Sequence, residues 1–173
     1  MDRDRQDALY VEASGANAAA MRRVARGYEA NADRQRDLLQ EMHLELWLSF
    51  RSFDGRCSLR TWVYRIAHNV GASHIVRARR MSSRLVDLET LDAGLPAVDG
   101  ATQVEQRVSA AMVLELIHRL KPLDRQVILL YMEGESAGAI AEVTGVSPVN
   151  VATKIHRIKR MLREKYQEGG ENA

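Results

Sequence analysis

The stretch IAEVTGVSPVNVATKIHRIKRMLREKY, residues 140–166, leaves its backbone few choices. Ser136, just upstream, can cap a short helix carrying Ile140 and Ala141, because its hydroxyl accepts an N–H that the first turn leaves unpaired. Gly145 supplies a tight turn. Ser147 and Pro148 then open a second helix, since the donor proline lacks is not needed at the first helical position. Val151, Ile155, Ile158 and Leu162 follow at helical steps, so one stripe turns inward. The other face carries Asn150, Thr153, Lys154, His156, Arg157, Lys159 and Arg160. A short helix, a Gly turn and a basic second helix form the helix-turn-helix pattern, whose second helix can lie in a major groove. From these residues alone a solvated amphipathic hairpin stays open, because Gly turns and basic helix ends are common.

Composition extends the helical reading to the whole chain. Its 173 residues hold 46% apolar side chains, enough for a core, and only 11 Gly and 3 Pro. Long windows are rich in Ala, Leu, Arg, Glu and Met, all good helix formers, so the class expected is all-α. Cys57 is the only cysteine, which excludes an internal disulfide and suits a reducing cytoplasm. No run of about 18 apolar residues occurs, and the start MDRDRQDALY lacks a signal peptide's apolar centre, so we expect a cytoplasmic protein without membrane insertion. The net charge of +2 conceals strong segregation. Residues 55–84 carry seven arginines and no acid, 86–105 five acids and no base, and 154–165 six Lys or Arg against one Glu. Two basic blocks on predicted helices are what a two-site phosphate binder needs.

The best helix of the first half runs from Asp33 to Phe50, with Leu38, Leu39, Met42, Leu46, Trp47 and Phe50 at helical spacing. Residues 17–30 make a weaker helix, and the first dozen residues give no firm signal. Asp37, Glu41 and Glu45 fall at i, i+4 and i+8, where like charges cost helix stability, so an unneutralised acidic stripe there suggests a basic partner surface. After a loop at FRSFDGRCS, a helix begins near Leu59. Trp47, Phe50, Phe53, Trp62 and Tyr64 cluster where the arginine block starts, and aromatics among arginines suit single-stranded DNA, although each ring taken singly also suits a core. Residues 82–104 have two Gly, one Pro and little periodicity, and are read as a linker. Helices over 105–120 and from about Asp124 to Gly134 follow. The expected architecture is two small helical domains, 1–81 and 105–173, joined by that flexible linker, the second a helix-turn-helix.

Three segments together, DLLQEMHLELW, FDGRCSLRTWVYRIAHN and KPLDRQVILLYMEGESAGAIAEVTGVSPVNVATKIHRIKRMLRE, resemble bacterial RNA polymerase sigma factors of the extracytoplasmic-function group of the sigma-70 family. The likeness covers roughly residues 22–166. It implies a region 2 domain that docks on the polymerase core through Asp37, Leu38, Gln40 and Glu41. The same domain would hold the minus-ten element as melted single strand, through Phe53, Ser58, Arg60, Trp62, Arg65 and Asn69. Capturing an extruded base would offset the few kcal/mol, roughly, of unstacking. Arg77, Arg79 and Arg80 would grip phosphates. A region 4 domain would read the minus-thirty-five duplex through Ser147, Pro148, Val149, Ala152, Thr153, His156 and Arg157, with Lys154 and Arg160 on phosphates. The resemblance also implies an anti-sigma factor, whose type these residues do not identify. Two departures stand out: Ala152 replaces a residue usually basic in the family, and Gly138 costs about 1 kcal/mol relative to Ala inside a helix.

An enzyme is not expected, nor a cofactor or metal. There is no Gly-rich phosphate loop or His-Glu metal motif, and His43, His68, His74, His118 and His156 are not spaced as ligands. The competing reading is a one-component regulator that binds duplex DNA without polymerase. It would leave the acidic stripe and the aromatic-arginine cluster without a purpose.

Overall fold

A computed structural model describes the backbone of residues 3–85 and 103–170, and the side chains of these residues except 82–109 and 166–170. Most of the expected linker therefore lies outside the described residues. Within them the chain is helical throughout and divides into two domains: α1 (Arg3–Tyr28), α2 (Ala32–Ser49) and α3 (Leu59–Leu85), then α4 (Gln103–His118), α5 (Pro122–Met132), α6 (Ala137–Thr144) and α7 (Pro148–Gly170).

In the first domain each helix packs on the other two around Met21, Val24, Leu38, Met42, Leu46, Phe50, Val63 and Ala67. Asn31 starts α2, its side-chain oxygen accepting the N–H groups of Asp33 and Arg34 at 3.0 Å each. Ser58 does the same for α3 through Thr61 N–H at 3.0 Å. Gly71 brings α3 close to α1: a Cβ there would stand 2.4 Å from the Tyr28 ring. The weak N-terminal signal is corrected, since α1 is one continuous helix from Arg3. Its buried stripe includes Gln6, Ala13, Asn17, Ala20, Met21 and Val24, so polar residues interrupt the apolar period. The structure satisfies them: Gln6 donates to Trp47 O at 2.7 Å, and Asn17 to Ala13 O at 2.8 Å.

The second domain builds its core from Ile117, Leu120, Val127, Ile128, Leu130, Ile140, Val143, Val151 and Ile158. α4 and α5 also lie against α1, and α5 and α6 against α3. One residue at this junction carries unusual weight. Arg125, 3% exposed, donates to the carbonyl of Tyr28 at 3.3 Å and to that of His118, the last residues of α1 and α4. A cation between two helix C-termini meets both the unpaired carbonyls and the negative ends of the dipoles. Arg125→Met keeps the stem's packing and removes those donors. Leaving buried carbonyls unsatisfied costs about 1–3 kcal/mol, which urea unfolding of the variant should register.

Candidate nucleic-acid and protein interfaces

The turn between α6 and α7 is built from the residues that punctuate its sequence. Ser136 Oγ accepts Ala139 N–H at 3.2 Å, and Gly145 takes φ 73°, a left-handed conformation that favours glycine. Thr144 Oγ1 donates to Ile140 O at 2.8 Å and accepts Val146 N–H at 3.3 Å, holding the turn. Pro148 is the first residue of α7. Val151 and Ile158 are fully turned inward, and Ile155 and Leu162 pack partly against the core. That rotation leaves Ser147, Pro148, Val149, Ala152, Thr153, His156, Arg157 and Arg160 exposed on one side. Val149 is 76% exposed, an apolar side chain able to meet a thymine methyl.

Lys154 has a different setting from these neighbours. Its ammonium lies 2.7 Å from Asp124 Oδ1, and Arg157 reaches the other carboxylate oxygen at 3.2 Å. Asp124 sits in the first turn of α5, where the helix dipole favours a carboxylate. Lys154 thus fastens α7 to α5 and is half-buried, whereas Arg157 keeps most of its side chain in solvent.

The loop before α3 and the helix itself form a second surface. Phe53 packs against Trp62 with ring centroids 5.2 Å apart, and the Arg65 guanidinium lies over the Trp62 ring at 5.8 Å. Trp62 Nε1 donates to Ser49 Oγ at 2.9 Å, which fixes the indole. Trp62, Arg65 and Asn69 follow at i, i+3 and i+7 on one face, with Asn69 exposed. The exposed Ser58 serves as the helix cap already described. Arg80 lies exposed farther along α3. Arg60 projects elsewhere: it lies over the Tyr64 ring at 5.2 Å and donates to Glu135 Oε1 at 2.8 Å.

On α2 the structure corrects two expectations. Leu38, expected at the polymerase surface, is 1% exposed in the three-helix core, because it shares the inward stripe of Met42 and Leu46. The acidic stripe is also partly neutralised, since Arg77 of α3 donates to both oxygens of Glu41 at 2.7 and 2.8 Å. Arg77 is correspondingly engaged across the helix pair. Asp37, Gln40 and Glu45 remain exposed. Sequence reasoning missed Leu44, 55% exposed and one turn beyond Gln40, which adds an apolar centre to this polar face. Its exposure follows from standing outside the Leu38–Met42–Leu46 stripe, a signal that was available.

Among the described residues no helix is long and apolar enough to cross a membrane, and no group of three or more His, Cys, Asp or Glu is placed to hold a metal ion.

Comparison with known proteins matches the two domains separately. Residues 15–81 match the Sigma-70 region 2 family, and residues 110–162 match Sigma-70, region 4. The chain is 30% identical over 139 residues to the ECF RNA polymerase sigma-E factor of Haemophilus influenzae, covering 76% of this chain and 74% of that protein. It is 33% identical over 151 residues to the ECF RNA polymerase sigma factor SigG of Mycobacterium tuberculosis, across 73% of this chain and 40% of that longer protein. In fold it is similar to the sigma factor RpoE of Bartonella quintana, solved in complex with the anti-sigma factor NepR, at TM-score 0.65 and 20% identity, over 94% of this chain and 96% of that one.

Proposed function

The chain belongs to the extracytoplasmic-function RNA polymerase sigma factors, and from that premise we propose that it directs the core polymerase to promoters by reading two separate elements. In this reading residues 1–81 are the region 2 domain, 82–104 the linker and 105–173 the region 4 domain, and the protein acts in the cytoplasm. The face of Phe53, Trp62, Arg65 and Asn69 holds the minus-ten element as single strand, where aromatic and guanidinium planes receive unstacked bases. Ser147, Pro148, Val149, Ala152, Thr153, His156 and Arg157 meet the minus-thirty-five base edges. Arg80 and Arg160 meet phosphates, and Lys154 contributes by holding α7 in place. The observation that carries the reading is the presence, in one chain, of an exposed helix-turn-helix face and a separate aromatic-arginine face.

Ala152 brings only a methyl group to the groove, so base preference at its position rests on apolar contact rather than a bidentate hydrogen bond. Asp37, Gln40, Glu41 and Leu44 form the surface offered to the polymerase. Because a relative of similar fold is held by an anti-sigma factor, we further propose a protein inhibitor of that class as a partner.

The decisive experiment adds the protein to sigma-free core polymerase and measures promoter-specific initiation on duplex templates. A stable complex with core and a defined start site are expected. Specific duplex binding with neither of these would instead describe a regulator that acts without polymerase.

Glu41→Arg tests the core surface. It sets two exposed cations side by side, which costs stability under about 1 kcal/mol. Competition for core should nevertheless fall about tenfold, because the reversed charge faces a basic surface. The swap Glu41→Arg with Arg77→Glu restores the pair across α2 and α3. If the loss came only from disturbed packing, the swap would rescue core binding; we expect it to remain deficient.

A further inference from the structure

The indole of Trp62 on α3 is held in one orientation by a side chain from α2. Ser49 is the last residue of α2, and beyond it the chain tightens into the short 3₁₀ turn Phe50–Ser52. The Phe50 N–H turns to the Trp47 carbonyl, and Ser52 Oγ donates to the Ser49 carbonyl at 2.9 Å. Ser49 Oγ donates its one proton to the Leu46 carbonyl at 2.7 Å, so its lone pairs are left to accept. Trp62 Nε1, which can only donate, meets that oxygen at 2.9 Å. The two bonds do not compete. Around the indole, the Phe53 ring centroid stands 5.2 Å away and the Arg65 guanidinium 5.8 Å. Phe53 in turn packs edge-on, at 5.8 Å, against the fully buried Phe50. Trp62 itself is half-buried and keeps part of its surface open to solvent.

We propose that Ser49 is a positioning residue for capture of the minus-ten strand: its hydroxyl fixes the Trp62 ring before a base arrives. The proposal rests on the two-element reading above and extends it to a residue outside the stacking face. The outer side-chain torsion of tryptophan is broad and roughly two-fold, so packing alone leaves the indole two ways to lie. Only one of them points Nε1 at Ser49. A ring already ordered loses no further freedom when a base stacks on it, and sparing the immobilisation of one side chain is worth about two- to tenfold in affinity. Ser49 stands on the helix that carries Asp37, Gln40 and Glu41, so the element offered to the polymerase ends against the DNA face. The hydroxyl acts on the strand only through Trp62.

The test compares the full chain with Ser49→Ala and Ser49→Thr. Alanine is a good helix former and removes only the hydroxyl, whereas a threonine Oγ1 can still bond a carbonyl one turn back and accept the indole N–H. Proton–nitrogen NMR of the free chain shows one indole N–H for each of its two tryptophans, and Trp47→Phe assigns them. The Trp62 N–H should shift and exchange with water about five- to tenfold faster in Ser49→Ala, and stay near the wild type in Ser49→Thr. Each protein is then bound to core polymerase and titrated with a labelled oligonucleotide carrying the non-template minus-ten strand of a promoter from which the wild type initiates. Affinity should fall about fivefold for Ser49→Ala and recover in Ser49→Thr, with competition for core unchanged within about twofold. An unchanged Trp62 signal in Ser49→Ala would overturn the positioning. A freed indole with undiminished strand binding would overturn its part in capture. Equal deficits in the two variants would assign the loss to packing and overturn the role of the hydroxyl. The spectra need no polymerase, so failure there leaves the sigma-factor reading intact, whereas a wild type that binds core yet supports no initiation would sink that reading.

Discussion

Asn69→Ala is expected to reduce open-complex formation by roughly 5- to 150-fold while leaving affinity for core polymerase unchanged within about twofold. Asn69 is exposed on α3, one turn beyond Arg65 and two beyond Trp62, and no core residue depends on its amide. Truncating it therefore leaves the fold alone, since exposed substitutions away from caps and networks stay within about 0.5 kcal/mol. What it removes is a neutral donor and acceptor beside a stacking platform made by Phe53, Trp62 and Arg65. A base held there keeps its stacking and loses its hydrogen-bonded edge, a bidentate amide–base contact being worth about 1–3 kcal/mol. The measurement is permanganate footprinting of melted thymines alongside competition for core. Equal losses in the two assays would remove Asn69 from the DNA face. A template already melted across the minus-ten element should recover most of the activity, because base capture no longer has to offset the cost of unpairing and unstacking.

The helix-turn-helix was legible because every signal for it is local. A capping serine, a left-handed glycine, a proline at the first helical position and a stripe at steps of four, three and four all lie within one short segment. The stripe on α2 was equally legible, and it placed Leu38 inward with Met42 and Leu46. Family likeness placed the same residue at the partner surface, and burial sided with periodicity. The features that stayed hidden are those whose partners lie far along the chain. Arg77 neutralises Glu41 from a different helix, and Glu133 and Glu135 reach Arg23 and Arg60 from a different domain. Helical periodicity carries no information about such pairs. α1 was obscured for another reason: Gln6 and Asn17 are polar residues in buried positions, tolerated because backbone carbonyls accept their amides. A pattern based on apolarity alone breaks at both.

Acidification from pH 6.5 to pH 5 is expected to cost the first domain about 2 kcal/mol of stability through one buried imidazole. His68 is fully buried, hydrogen-bonded to the Tyr28 hydroxyl through Nδ1 at 2.9 Å, and its Nε2 has no partner. Burial pushes its pKa down to about 3, against about 6.5 in an unfolded chain. Between those values the unfolded chain binds a proton that the native state refuses, so stability is complete above the unfolded pKa and declines as pH falls, by about 1.4 kcal/mol per unit. The depressed carboxyls of Glu29 and Glu133 act in the same direction but only below the ordinary carboxylate range, so the interval from 6.5 to 5 isolates histidine. His43, also lowered by burial, contributes a residual slope of the same sign. Replacing both members of the pair, His68→Leu with Tyr28→Phe, removes the titrating group without stranding a buried hydroxyl. Urea unfolding at pH 7, 6 and 5 should then give a nearly level stability for the double variant and a clear decline for the wild type. Parallel declines would mean that protonation elsewhere drives the acid sensitivity.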